Sequence, residues 1–217
     1  MSSPRPLLPF DDWKSLTPVC RTESQLKPAL MTVDEFRDFC ACAPGPIVLE
    51  GPRYVGKTFL SNELRNIHSK PVLTAGRSIK ERKLLMGANR PDRATHRIGS
   101  ADFEDFDLSV AQAHLWMLDT IIQLQLRHVV LDRTLTSSVW FQYAVYVRHW
   151  SLWEDLMVKA DATLIFLHPP DETTHFRRCF DRQQDWMALR IETIGYMDMM
   201  RRVDPVVKMA SIAVSVS

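Results

Sequence analysis

The chain has 217 residues, 46% of them hydrophobic and 24% charged, which provides for one sizeable core and leaves little for a second. A formal net charge of +1 gives the whole molecule no bulk attraction for nucleic acid or an anionic membrane, so any anion site has to be local. Four cysteines, Cys20, Cys40, Cys42 and Cys179, form neither paired C-x-x-C knuckles nor a dense disulfide scaffold and read as reduced thiols, while no apolar run is long enough to cross a bilayer.

Residues 1–28 carry Pro4, Pro6, Pro9, Pro18 and Pro28 and no clear periodicity, which predicts an extended arm, part of which packs through Leu7, Leu8, Phe10, Trp13 and Leu16. Thr32 followed by Glu35 is a capping box, and Phe36, Phe39 and Cys40 continue one helical face, so a short helix precedes the turn at Pro44-Gly45-Pro46. Residues 1–45 are therefore expected to be an N-terminal extension, and residues 46–217 the main domain.

The buried run Ile47-Val48-Leu49 leads into Glu50-Gly51-Pro52-Arg53-Tyr54-Val55-Gly56-Lys57-Thr58, which fits G-x-x-x-x-G-K-[ST], the phosphate-binding loop. Gly51 and Gly56 let the backbone curl so that its N–H groups turn inward on a β-phosphate. Lys57 then reaches the β- and γ-phosphates, and Thr58 offers its hydroxyl to Mg²⁺. Phe59, Leu60, Leu64 and Ile67 follow at helical spacing, so the helix N-terminus faces the anion.

Residues 72–75 read as a second strand. From Gly76 to Asp107 an arginine- and lysine-rich stretch, including Arg77 and Arg97, gives way to Asp102, Glu104, Asp105 and Asp107. This predicts a loop-and-short-helix insertion, either an acceptor clamp or an ordinary surface loop. Leu108, Ala111, Leu115, Leu118, Ile122 and Leu126 mark a long amphipathic helix, Val129-Val130-Leu131 a strand buried on both faces, and residues 137–150 an aromatic-rich helix. Those aromatic side chains pack the core, stack on a base or form the face of a homodimer. Residues 162–167 are the next strand, 171–182 and 186–202 two helices, and 212–216 a last strand. Alternation of this kind predicts an α/β fold of the P-loop NTPase type, a five-stranded parallel sheet with helices on both faces and ligands at the carboxyl ends of its strands.

Two further groups carry chemistry. Asp132 ends a buried strand, where a carboxylate holds Mg²⁺ or orients an acceptor, and Arg133 beside it can grip a phosphate bidentately; the alternative is an ion pair that only closes the strand. Arg177, Arg178 and Arg182 fall on one helix at spacings that let guanidinium groups converge on transferring phosphates, forming a lid at about 171–186. The alternative there is a solvated helix face.

The loop Gly51 to Thr58, the run Asp132-Arg133 with Ser137-Ser138 and Phe141-Gln142, and Pro169-Pro170 leading to Arg177 and Arg182 together resemble the thymidylate kinase branch of the phosphate-loop nucleoside and nucleotide kinases. The resemblance implies an ATP-dependent kinase using Mg²⁺. Lys57, Asp132, Arg53, Arg177 and Arg182 would act in catalysis, and residues 51–59 (Gly51 to Phe59) with Arg178 would bind ATP. Thr58 and Asp132 would hold the metal, and Arg133, Phe141 and Gln142 the acceptor, joined by Arg77 or Arg97. The acceptor would be a deoxynucleotide or related pyrimidine, the second choice a base hydroxyl within DNA, and the third a nucleotide-binding protein without turnover. The expected setting is cytoplasmic, a host's cytoplasm if the protein is viral, with no membrane partner. Two features depart from the resemblance. Arg53 stands where that branch usually has an aspartate serving the acceptor sugar, and Leu115, Trp116 and Met117 lie where it commonly has an arginine for the acceptor phosphate.

Overall fold

The computed structural model describes residues 21–68, 71–74, 101–135 and 143–215. Its elements in chain order are α1 (Glu23–Leu26), β1 (Ala29–Thr32), α2 (Val33–Ala41), β2 (Ile47–Glu50), α3 (Lys57–His68), β3 (Val72–Leu73) and α4 (Ala101–Gln123). They continue with β4 (Val130–Asp132), α5 (Tyr143–Lys159), β5 (Thr163–His168), α6 (Glu172–Asp181), α7 (Trp186–Arg202) and β6 (Met209–Ser215). The strands form one sheet in the order β1-β6-β5-β2-β4-β3, with every pairing parallel.

Side chains alternate across this sheet with period two, and each set meets its own layer of helices. Val48, Leu131, Leu164 and Phe166 pack with Leu118 of α4, Trp153 and Met157 of α5 and Met200 of α7. Ile47, Leu49, Val130, Ile165 and Leu167 face the other way, onto Phe36 and Cys40 of α2 and Leu60 and Leu64 of α3. All four residues of β2 are fully buried, so the strand that feeds the phosphate loop is the sheet's rigid centre. It lies between β5 and β4, with Leu49 opposite both Ile165 and Asp132. The loop after β2 and the acid at the end of β4 therefore emerge side by side at the carboxyl edge, where ligands bind in sheets of this kind.

The sheet has six strands rather than the predicted five. The extra one, β1, pairs Ala29 to Thr32 with residues 212–215 of β6 at the sheet's edge. Its pattern hides it from sequence reading, since Ala29-Leu30-Met31 is a short run just after Pro28 and three of the strand's four residues are exposed. Thr32 ends this strand and also caps α2, accepting from Glu35 N at 3.2 Å while Glu35 Oε2 accepts from Thr32 N at 2.7 Å. The segment expected to run as loop and short helix to Asp107 is helical from Ala101, so α4 starts about two turns earlier than its apolar spacing indicates. The last strand likewise starts at Met209 rather than at 212.

Candidate active site

Gly51 follows β2 with φ 140°, and a Cβ there would lie 2.4 Å from the Leu167 carbonyl oxygen of the neighbouring strand, so only glycine lets the chain turn at this point. Gly56 has φ 102°, again in the region that favours glycine. Between them Val55 is buried in the core, anchoring the loop from below. Lys57 opens α3 and folds back over the loop, its Nζ donating to the carbonyls of Gly51 at 2.5 Å and Pro52 at 2.6 Å. Two of its three donors are thereby fixed and one remains. Burial, and then the Arg133 charge, lower its pKa to about 7, while Glu50, Asp132 and Glu192 act in the opposite direction.

Asp132 and Arg133 stand beside this lysine. Arg133 N donates to Leu49 O at 3.1 Å, and its φ of 79° turns the chain sharply off the end of β4. The Oδ1 of Asp132 is buried and accepts no hydrogen bond among the described residues. A buried carboxylate oxygen left in that condition is costly unless a further group meets it. Glu50 is fully buried beneath the loop and accepts from Thr134 N at 2.5 Å and Thr134 Oγ1 at 2.9 Å, tying the end of β2 to the segment after β4. On α4, His114 is buried, and burial followed by the Arg133 charge lowers its pKa to about 4, so the imidazole is neutral near pH 7.

The third side comes from α6 and α7. Asp171 caps α6 by accepting from Thr174 N at 2.7 Å, and Asp185 caps α7 by accepting from Met187 N at 2.8 Å. From α6, His175 Nε2 donates to Arg53 O at 2.8 Å and Arg178 Nη1 donates to Tyr54 O at 3.1 Å. From α7, Glu192 takes Arg53 by two points, accepting from its backbone N at 2.9 Å and its Nε at 2.6 Å. The arginine helix is thus bonded to the loop backbone as well as standing over it.

Arg53, Tyr54, Gly56, Lys57, Thr58, Phe59, Arg133, Arg178 and Arg182, with Asp181, line a single open cleft of about 780 Å³. Gly51 and Pro52 join it through the Lys57 hydrogen bonds, and Asp132, which is not among the lining residues, interacts with it through the Lys57 charge. Arg177 is exposed and is not among the lining residues. Arg77, Arg97, Phe141 and Gln142 fall outside the described residues. Glu192, His175 and Gln184 join the site only in three dimensions, whereas Glu50 and Thr134 adjoin predicted site residues along the chain and meet each other only in the fold. For Glu192 the partner is 139 positions away, and an isolated acid inside an amphipathic helix carries no sequence signal of its own.

Chemically, the cleft offers a lysine, four guanidinium groups on three sides and loop N–H groups at a helix N-terminus, a setting built for a polyanion. No family model matches the chain, and no curated protein matches it. Among solved structures it is similar to the YorR protein of Bacillus subtilis, solved in complex with phosphorylated GDP. There the identity is 16%, the TM-score 0.45, and 76% of this chain and 84% of that one are covered. It is also similar to shikimate kinase from Acinetobacter baumannii in complex with shikimate, at 13% identity and a TM-score of 0.43, covering 85% of this chain and 89% of that one.

Proposed function

We propose that this chain is a phosphotransferase that moves the γ-phosphoryl group of ATP onto a deoxynucleotide or a related pyrimidine acceptor. The observation that supports it most is the buried Lys57, held by the Gly51 and Pro52 carbonyls in an arginine-lined cleft, with the Asp132 charge acting on it and the Asp132 Oδ1 without a partner among the described residues. In this reading an acceptor oxygen attacks the γ-phosphorus as its bond to the β–γ bridging oxygen breaks, and ADP leaves with that electron pair. Charge spreads over the equatorial oxygens during transfer, and positioned cations lower the barrier more than any covalent help does. Lys57 meets the β- and γ-phosphates, while Arg178 and Arg182 close over them. Arg133 faces the acceptor side.

Mg²⁺ fits the donors present. The Thr58 hydroxyl is exposed at the first turn of α3 and the Asp132 oxygen lacks a partner, both hard oxygen donors of the kind this ion takes alongside phosphate and water. Held by Thr58 and Asp132, the ion would neutralise phosphate charge during transfer.

The test is an ATP-turnover screen across nucleosides, nucleotides and single- and double-stranded DNA, with Lys57→Ala and Asp132→Ala beside the parent. Transfer to a free deoxynucleotide, reduced by about 10²-fold or more in either variant, supports the proposal. Transfer only to DNA moves the acceptor to a base hydroxyl, and tight ATP binding with no transfer makes the protein a nucleotide sensor. Turnover untouched by both substitutions would remove the site from this loop altogether.

A further inference from the structure

Arg53 is gripped at three of its polar handles: its backbone N–H and its Nε by the two oxygens of Glu192, and its carbonyl by His175. A carboxylate often takes an arginine by two parallel bonds to its guanidinium nitrogens. Here the carboxylate takes the inner edge instead. The terminal nitrogens make one described hydrogen bond, a long one from Nη1 to Gln184 Oε1 at 3.4 Å, and the guanidinium carbon lies 5.9 Å from the centre of the Tyr54 ring, both side chains belonging to the cleft wall. Glu192 is itself nearly sealed, its side chain 5% exposed, whereas Arg53 is 36% exposed and forms part of the cleft wall. The geometry is that of a buried support and a presented donor.

The position of the presented edge matters. Arg53 follows Pro52, whose carbonyl accepts from Lys57 Nζ, and the Arg53 and Lys57 side chains line the same cleft. The lysine's ammonium group serves the β- and γ-phosphates, whereas the loop N–H groups further along cradle the inner ones. A donor at this place meets the terminal phosphate of a nucleoside triphosphate and has nothing to meet in the diphosphate.

We infer that Glu192 is a positioning residue: held on α7, it aims the guanidinium of Arg53 at the terminal phosphate, so that α7 sets the preference of the loop for triphosphate over diphosphate. The inference rests on the phosphotransferase reading for its consequence in rate, and on nucleotide binding alone for its consequence in affinity. An arginine is a flexible side chain with several rotatable bonds, and fixing its inner edge beforehand removes the ordering cost that a free guanidinium would meet on reaching the phosphate.

The experiment compares the parent with Arg53→Gln, Glu192→Gln, Glu192→Asp and the Arg53→Gln/Glu192→Gln double variant. Titration calorimetry gives the ratio of ATP to ADP affinity, steady-state transfer gives kcat and KM, and thermal melting confirms that each variant is folded. A charge-assisted hydrogen bond of ordinary strength predicts that Glu192→Gln lowers the ATP:ADP affinity ratio about tenfold, with ADP affinity itself within about twofold of the parent. kcat should fall by about 10-fold to 10²-fold with a much smaller change in KM. Glu192→Asp, too short to hold both handles at once, should fall between parent and Glu192→Gln. The double variant should be no worse than Arg53→Gln, because Glu192 acts through that arginine. The inference is overturned if Glu192→Gln keeps the parent's affinity ratio, if it weakens ATP and ADP equally, or if the two losses add in the double variant. Should the parent bind nucleotide but transfer nothing, the phosphotransferase reading falls, and the affinity ratio still decides the role of Glu192. A parent that binds neither nucleotide removes both.

Discussion

Lys57 shows how a single residue can serve a site at the expense of the fold. Its side chain is buried among loop carbonyls and other cations, and burial, followed by Arg133, brings its pKa to about 7. Because the unfolded chain keeps the ordinary, higher lysine value, it binds more protons than the folded chain between about pH 7 and the usual lysine range. This group's contribution to stability therefore rises with pH across that window, and its full penalty is present below it. Lys57→Met should raise the melting temperature at pH 6, by roughly 2–4 °C for each kcal/mol recovered in a chain of this size, and the gain should shrink by pH 9. The same variant should lose nucleotide binding. A melting temperature at pH 6 equal to or below the parent's would mean that the two carbonyls and the nearby carboxylates already offset the buried charge. Glu50 and Thr134 make the complementary point: a fully buried acid beneath the loop is tolerated because a backbone N–H and a hydroxyl both donate to it.

Among the elements, α6 links stability to the site. Its start is set by Asp171, whose carboxylate accepts from Thr174 N and Thr174 Oγ1, each at 2.7 Å, and these bonds hold its pKa below the usual carboxylate value. The helix then presents His175 and Arg178 to the loop, one turn apart, so a frayed first turn loosens the grip on Arg53 O directly. Asp171→Ala should cost about 0.5–2 kcal/mol, read in a denaturant titration, and should raise KM for ATP rather than abolish transfer. No change in stability would show that the hydrogen bonds from His175 and Arg178 hold the helix without its cap. The spans 171–182 and 186–202 expected for α6 and α7 agree with the structure to within a residue, and there each helix is capped by the acid ahead of it, Asp171 and Asp185. Strand β1 was not legible in the sequence, because an edge strand of four residues gains its stability from pairing with β6, a partner far along the chain.

For the whole molecule, charge is the relevant quantity. The formal net charge is only +1, yet Arg53, Lys57, Arg133, Arg178 and Arg182 line one cleft together, so the positive field there is local. Binding of a mononucleotide should therefore weaken only modestly between 50 and 200 mM salt, whereas a polymer held by many phosphate contacts would lose about 10³-fold or more over the same range. A steep loss for DNA, with DNA bound more tightly than any free nucleotide, would move the acceptor from nucleotide to polymer. Among the described residues no helix is long and apolar enough to cross a membrane.

Local chemistry determined what can be read without coordinates: the glycine-bounded loop, the lysine and threonine that open α3, the acid and arginine after β4, and the alternation that makes a parallel sheet. Each of these depends on residue types within a few positions of one another, where spacing along the chain is also spacing in space. Tertiary structure decided the rest. It made Arg53 the partner of Glu192, bonded the arginine helix to the loop through His175 and Arg178, and left Arg177 outside the cleft that Arg182 joins. Those outcomes depend on which strands lie side by side and which helix crosses above them, and hydrogen bonds between residues more than a hundred positions apart leave no periodicity for a sequence to display.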